Sequence, residues 1–557
     1  MPTCGEVLAR TLREAGVTRM FGLPGGEVLH FLEAARREGI EFILTRHEAT
    51  ASFMADVTGQ IERRPGVCLA TLGPGAVNMT LGVANAFLDR SPLIAVTAAI
   101  ASAVAPYQTH QNLDLNAVYR PFTKLTLTLD GESTAAKVRR AWRTSLELRM
   151  GPVHLAVPGD VARMPDREIE DPASIELEPS PAGPAAVDAI AAMGGEIRRA
   201  RRPVVLLGLD LDPRRDVAAV RAFVRWLGAP VFVTPKAKGI LPEDNPLFFG
   251  VCSGVAADSV ILDFFRRADL LIGVGYEPVE SNRIWHHTLK LVSIGPVSIA
   301  ADRFRPALEV VGDIGHSLDV LRQESAPRLD WTEAEWQAFR GEMQQALHPP
   351  CDPLSGLSPY EVTRALRQLF PGDTIHVTDV GAVKGVTSQV WQAYEPLTFF
   401  ESNGLSAMSY GLPGAMAARL AFPGRPILCT VGDGGLGMAL ADVETAVRHG
   451  LRFVTVVYND SQLSWIQAVQ QHQGHRDHGV RYGSVDFAAA ARALGAWGRR
   501  AASLEALASA VGEAMDTDGP AVIDVPIDPS EYRSHLAPPR GVNSQQSTVD
   551  SQQSTDD

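Results

Sequence analysis

The sequence predicts an α/β protein made of three doubly wound parallel-sheet domains. Three observations predict it: short apolar runs that end at glycines, helical patterns between those runs, and a length that no single core fills. At 557 residues the chain suits about three domains of roughly 100–200 residues each. A hydrophobic fraction of 45% against a charged fraction of 21% matches a folded globular protein and not a disordered or fibrous one.

The N-terminal domain, residues 1–165, opens with MPTCGEVLARTLREAG, an amphipathic helix that lacks the apolar run and cleavage site of a signal peptide. FILT (42–45), GVCLATLGPG (66–75) and PLIAVTA (92–98) then read as strands separated by helical patterns. The C-terminal domain, residues 355–535, repeats that order with TFFES (398–402), RPILCTVGDGG (425–435) and RFVTVVYND (452–460). The interval from Gly73 to Ile94 matches that from Gly432 to Val454 to within one residue, so the two domains are expected to share one topology. Between them PSPAGPAAV (179–187) reads as a linker. The central domain, residues 185–345, carries RPVVLLGLDLD (202–212), APVFVTP (229–235) and ADLLIGVG (268–275) as strands. Its Gly273-x-Gly275 is followed by Tyr276, Glu277 and Pro278, so the dinucleotide fingerprint is incomplete and the domain reads as mainly structural. The tail, residues 536–557, ends in VNSQQSTVDSQQSTDD, which has no apolar residues to offset ordering and is expected to be disordered.

Several function classes drop out. A net charge of −13 without a Lys/Arg cluster argues against nucleic acid as a general partner. Cys4, Cys68, Cys252, Cys351 and Cys429 are scattered and form no CxxC pair, which fits a reducing cytoplasm rather than a disulfide framework or structural zinc. No apolar stretch approaches the ~18 residues of a membrane span. His472, His475 and His478 are interrupted by Gly474 and Gly479, so they read as a mobile loop over the active site and not as a zinc helix.

The chemistry is concentrated after two strands of the C-terminal domain. Gly432, Gly434 and Gly435 end an apolar run, and bare backbone there lets N–H groups approach a diphosphate at a helix start. Asp433 and Asp460 then close adjacent strands, and with a carbonyl near Gln462 they offer hard oxygen ligands to Mg²⁺. A lone GDG is usually a turn. The 27 residues from Asp433 to Asp460, spanning one βαβ unit, favour a diphosphate and cation site instead. Glu48, in LTRHEATASFMAD, opens a helix where any acid is stabilised by the dipole. Met408, in ESNGLSAMSYGLPGAMAARLA (401–421), would by itself be core packing.

Taken with these motifs, the chain resembles the thiamine-diphosphate enzymes, whose signature is GDG followed at that interval by two Asn residues. This chain has Asn459-Asp460, and Asp keeps an oxygen ligand while adding a charge. The resemblance runs from residue 1 to about 530 and includes FGLPGGEV (21–28), TRHEATA (45–51), TLGPGAVN (71–78), THQNLDLNAVYRPFTK (109–124) and GYEPVE (275–280). The last two resemble flavin-free, catabolic-type acetolactate synthases. That likeness implies thiamine diphosphate and Mg²⁺ as cofactors, no FAD, and a homodimer or homotetramer with active sites between subunits. It implies that Glu48 hydrogen-bonds the aminopyrimidine ring, that Met408 supports the bent cofactor, and that the Ser406 carbonyl accepts from the amino group. Gly73 and Asn78 are implied cofactor contacts, and His110 with Gln111 is the implied substrate-facing pair. The implied reaction is decarboxylation of a 2-oxo acid, pyruvate foremost, with carboligation to a second carbonyl.

Three features depart from or widen that reading. Gln467 and Val469 stand where biosynthetic relatives carry Arg and Trp, and Ala382 stands where catabolic ones often carry Gln. RHEATA, ATLGPG, GDGG with DVETAVR, and GHRDHGVRYGSVDF also resemble carboxyethylarginine synthase. A flavin-dependent oxidase of the same superfamily and a catalytically silent subunit are the further alternatives, the latter opposed by Glu48, Met408 and Asp433 all being in place.

Overall fold

Strands buried on both faces need apolar residues at every position, and the continuous apolar runs of the sequence become such strands in the computed structural model. It describes residues 1–107, 110–178, 181–254, 257–280, 289–302, 304–348 and 356–532. The tail, Pro179 and Ser180 of the linker, Thr109 and Cys351 lie outside the described residues.

The N-terminal domain holds β1 (Arg19–Leu23), β2 (Glu41–Leu44), β3 (Gly66–Ala70), β4 (Leu93–Ala99), β5 (Leu125–Thr128) and β6 (Pro152–Pro158). The central domain holds β7 (Pro203–Leu207), β8 (Val231–Val233), β9 (Phe248–Val251), β10 (Leu270–Val274), β11 (Leu291–Gly295) and β12 (Leu308–Val311). The C-terminal domain holds β13 (Ile375–Thr378), β14 (Phe399–Glu401), β15 (Ile427–Gly432), β16 (Val454–Asn459), β17 (Trp497–Arg500) and β18 (Ala521–Pro526).

Each set forms one six-stranded sheet whose ladders are parallel, as the alternation of strands and helices predicts. The N-terminal order is β2-β1-β3-β4-β6-β5 and the C-terminal order is β14-β13-β15-β16-β18-β17. These are one permutation, so the shared topology inferred from matched spacings is real. The central order, β12-β11-β10-β7-β8-β9, is that of dinucleotide-binding sheets.

Two helices join the outer domains. Gly411–Ala421 is largely apolar and largely buried, as a helix apolar on all sides is inside a protein; Glu48–Glu62 is buried around nearly its whole circumference although it carries Glu48, Thr50, Ser52, Asp56 and Thr58. Together they form the middle of a core that includes Phe53, Met54 and Val57 from one domain and Tyr410, Met416 and Val377 from the other. Gly414 is required there, since a Cβ would come 2.8 Å from Val377 Cγ1. Asp442 adds a polar tie, accepting from Arg46 N–H at 2.7 Å and from Thr50 Oγ1 at 2.6 Å. The entry to the Glu48 helix is thereby fixed against the C-terminal domain. No helix among the described residues is long and apolar enough to cross a membrane.

Candidate active site

Open doubly wound sheets bind ligands at the carboxyl ends of their strands, where the strand order reverses. In the C-terminal sheet that point lies between β13 and β15, and a cavity of about 470 Å³ opens there. Residues 380–385 after β13 and Gly432, Asp433, Gly434 and Gly435 after β15 line it. Ser406 and Met408 enter from the connection that follows β14, and Asp460 and Gln462 from the end of β16. Eight of the sequence-predicted site residues therefore meet around one space.

The oxygens converge as a hard-cation site requires. Asp433 Oδ1 accepts from Gly434 N–H at 2.7 Å and from the Tyr482 hydroxyl at 2.6 Å, while Oδ2 accepts from Ser461 N–H at 2.6 Å. Asp460 accepts from Gln462 N–H at 3.3 Å and from the Ser464 hydroxyl. Burial, and then the like charge of Asp433, push the Asp460 carboxyl up to about 7, and burial raises Asp433 as well. Two adjacent carboxylates, Asp433 buried and Asp460 half-buried, that resist ionising together suit a cation between them. Among the described residues no group of three or more His, Cys, Asp or Glu forms a closed metal cage. Two carboxylates and a carbonyl fit Mg²⁺, which takes few protein ligands and completes its octahedron with water and phosphate oxygens.

The glycines fit a diphosphate. Gly432 has an ordinary backbone and nothing within 4 Å of a would-be Cβ, so neither strain nor packing asks for glycine and the bare position leaves the cavity open. Gly435 answers to packing: a Cβ there would lie 2.6 Å from Asp379 Oδ2. Asp379 is fully buried, and burial pushes its carboxyl up to about 6.

The Met408 connection is held in an unusual backbone. Ser406 and Ser409 adopt φ of 55° and 69°, a left-handed geometry that non-glycine residues keep only when their surroundings enforce it. Ser402 Oγ accepts from Ala407 N–H at 2.8 Å, and Lys384 Nζ donates to Ser402 O at 2.8 Å and to Asn403 Oδ1 at 3.2 Å. Lys384 also pairs with buried Glu401 at 3.3 Å. Met408 Cε stands 3.2 Å from where a Gly434 Cβ would be, which puts its side chain beside the glycine turn.

The remaining predicted residues gather in the N-terminal domain. Glu48, 5% exposed, accepts from Asn78 Nδ2 at 3.1 Å, and its Oε1 lies 3.1 Å from a would-be Cβ on Gly75. Gly73 has φ of 62°, which suits glycine, and a Cβ there would meet the Gln111 side chain at 3.0 Å. Gln111 and His110 are exposed on the surface. Glu48, Gly73, Asn78 and Gln111 thus form a second cluster, and none of them, nor His110, lines the cavity of the same chain.

A diphosphate cradle with a divalent-cation oxygen set at the reversal point of a parallel sheet defines a class of cofactor-binding enzymes, and the chain belongs to the thiamine pyrophosphate enzymes. Residues 2–118 match the family model "Thiamine pyrophosphate enzyme, N-terminal TPP binding domain", residues 190–321 the central domain, and residues 379–525 the "C-terminal TPP binding domain". Within that family it is an acetolactate synthase-like, thiamine-diphosphate-dependent enzyme. It is 31% identical to the "Acetolactate synthase" of Bacillus subtilis (94% of this chain, 93% of the relative) and 30% identical to "Acetolactate synthase, catabolic" of Raoultella terrigena (94% of each). A "Probable 2-ketoarginine decarboxylase" of Pseudomonas aeruginosa is 29% identical over 91% of this chain and 90% of its own length.

Sequence reasoning passed over several cavity residues. Tyr482 and Lys384 carry no local signal, and their importance comes from tertiary contacts. The central domain, read as mainly structural, contributes Ser253 and Gly254 to the wall. Of the three spaced histidines, His472 closes the helix Ser464–His472, and His475 and His478 follow in exposed chain.

Proposed function

We propose that the protein decarboxylates a 2-oxo acid, pyruvate foremost, and joins the remaining fragment to a second carbonyl compound. The observation that carries this reading is the cavity that unites Asp433, Asp460, Gln462, the bare glycines and Met408, in a chain similar to acetolactate synthases. Thiamine diphosphate, when bound, supplies a carbon nucleophile and an electron sink for breaking the bond beside a carbonyl.

The chain's own residues prepare that chemistry. Asp433, Asp460 and the Gln462 carbonyl would hold Mg²⁺ against the diphosphate, and Gly432 and Gly434 would leave their backbone open to it. Met408 would support the cofactor from beneath, and the Ser406 carbonyl would accept from its amino group. Glu48 would share a proton with the aminopyrimidine nitrogen, a carboxylate acting as a positioned acid and base. Asn78 holds one Glu48 oxygen by its amide, which keeps the carboxylate aimed.

Because Glu48 and the cavity form separate clusters in one chain, a complete site requires Glu48 of one subunit to face the cavity of another. Exposed apolar residues flank both halves: Val77 (44%) and Leu113 (50%) beside the Glu48 cluster, Met438 (60%) and Ile466 (47%) beside the cavity. On this reading the enzyme is a homodimer or homotetramer whose subunits meet over these residues. Gln111 and His110, on the exposed rim of the Glu48 cluster, are placed to face substrate once the two halves meet.

A reaction without flavin is part of this proposal, as the likeness of THQNLDLNAVYRPFTK and GYEPVE to flavin-free enzymes implies. At the reversal point of the central sheet, between β7 and β10, a Cβ on Gly208 would lie 2.6 Å from Tyr276 Cα and one on Gly275 would lie 2.7 Å from Leu211 Cγ. The loops after β7 and β10 therefore pack directly on each other.

NMR of the purified protein with pyruvate, thiamine diphosphate and Mg²⁺, each cofactor omitted in turn, tests the proposal. Acetolactate formed only in the full mixture supports it. Acetaldehyde alone would reassign the enzyme as a decarboxylase, and unchanged pyruvate would remove pyruvate as donor.

A further inference from the structure

We infer that Tyr482 is a positioning residue of the cation site, its hydroxyl setting the rotation of the Asp433 carboxylate and so which oxygen meets the metal. This rests on the diphosphate and Mg²⁺ reading above.

A carboxylate oxygen has about two acceptor sites. Asp433 Oδ1 receives both Gly434 N–H at 2.7 Å and the Tyr482 hydroxyl at 2.6 Å, so it is filled. The cation is left to Oδ2, on the side where Ser461 N–H approaches at 2.6 Å, and to the oxygens of Asp460. The same hydroxyl lies 3.2 Å from the Gln462 carbonyl, a second and longer contact beside its bond to Asp433. One phenol therefore touches two of the three candidate ligand groups, donating mainly to Asp433.

The tyrosine is itself locked in place. Its N–H donates to Ser461 O at 3.2 Å, Leu463 N–H donates to Val480 O at 2.8 Å, and Gln462 bridges Arg481 in antiparallel fashion. Residues 480–482 are zipped along the segment that carries the ligands. The hydroxyl also stands 3.0 Å from a would-be Cβ on Gly434, so the phenol rests between the glycine turn and the ligand segment. A donor pre-organised on both sides loses little freedom when the metal binds.

Tyr482→Phe removes the donor and keeps the ring, and Tyr482 is 41% exposed, so the fold tolerates the change. The experiment titrates Mg²⁺, and separately Ca²⁺, into protein saturated with thiamine diphosphate, followed by calorimetry, with the melting temperature as control. The Kd for Mg²⁺ is expected to rise about tenfold, within the range typical of lost outer-shell partners. The Kd for Ca²⁺, which accepts irregular coordination, should change less than about threefold, with melting unchanged. An equal loss for both ions would mean that the hydroxyl only supports packing, and an unchanged or tighter Mg²⁺ affinity would mean that it does not position the ligands. Either result overturns the assignment. Unmodified protein that takes up no Mg²⁺ with thiamine diphosphate would sink the cofactor reading itself along with it.

Discussion

The N-terminal and C-terminal sheets share a strand order and differ in what stands where that order reverses. In the C-terminal sheet the crevice between β13 and β15 is the 470 Å³ cavity. In the N-terminal sheet the corresponding crevice between β1 and β3 is closed by protein: Thr71 Oγ1 donates to Glu27 Oε2 at 2.8 Å, and a Cβ on Gly25 would come 2.3 Å from Thr71 Oγ1. The N-terminal domain instead uses the exit of its edge strand β2, where His47 Nδ1 caps Ala49 N–H at 3.1 Å and Glu48 opens the helix. On the proposed function, one topology serves once as a cradle and once to aim a single carboxylate. Topology marks where a site can form, and the residues at the strand ends decide whether it does.

If the halves divide the labour this way, mutations should separate chemistry from cofactor binding. The largest effect is expected at Glu48. Glu48→Gln keeps the shape and removes the shared proton, so turnover should fall about 10³-fold, within the range of lost acid–base catalysis. Thiamine diphosphate affinity, measured by calorimetry, should stay within about threefold. Retained turnover would remove the N-terminal half from the chemistry and break the comparison.

Asp433→Ala should act on the other half, raising the Kd for Mg²⁺ about 100-fold or more, the upper end of what even outer-shell losses cost. Turnover should recover in part when Mg²⁺ is raised. An affinity loss at Glu48 equal to that at Asp433 would erase the distinction between cradle and carboxylate.

A third experiment combines the two. Co-expressed Glu48→Gln and Asp433→Ala chains, each inactive alone, should regain about one quarter of normal activity, since half of randomly formed dimers carry one intact site of two. No recovery on mixing would place Glu48 and the cavity of one chain in a single site.

What the sequence made legible follows the same division. The strands could be read because doubly buried strands are continuous apolar runs, such as Val67–Ala70 and Val454–Val457, all buried. The carboxylate pair could be read because Asp433 and Asp460 are tied by the fixed length of one βαβ unit. Met408 and Glu48 needed the family resemblance, since each alone has an ordinary structural explanation. Tyr482, Lys384 and Ser253 escaped because they reach the cavity through folds of chain far apart in sequence, with no local pattern to mark them. Asp442 escaped likewise: its two bonds to Arg46 and Thr50 exist only once two domains meet.

The smallest expected effect concerns the third sheet, whose reversal point holds buried acid. Glu280 accepts from Leu209 N–H at 2.7 Å, and burial pushes its carboxyl up to about 8. Nearby Asp210 is pushed up to about 7, by burial and then by Glu277, and Asp56 up to about 6, by burial and then by Asp89. Lys236 opposes the rise at Glu280 and at Asp56. A carboxyl whose pKa is raised on folding binds more protons in the native state between its unfolded and folded values. The stability it confers is complete below about pH 4, where unfolded carboxylates titrate, and is lost as pH climbs through the folded value. Melting temperature should therefore fall from about pH 5 to about pH 8. Glu280→Gln should flatten the upper end, between about pH 7 and 8, where Asp56 has already ionised, and raise melting there by about 1 °C for each kcal/mol relieved, the scale set by the unfolding entropy of 557 residues. The slope below pH 7 should persist, because Asp56 and Asp210 still cause it. An unchanged slope above pH 7 would show that Glu280 is already ionised in the fold, and the central sheet would then carry a buried charge where the C-terminal sheet carries the proposed cation site.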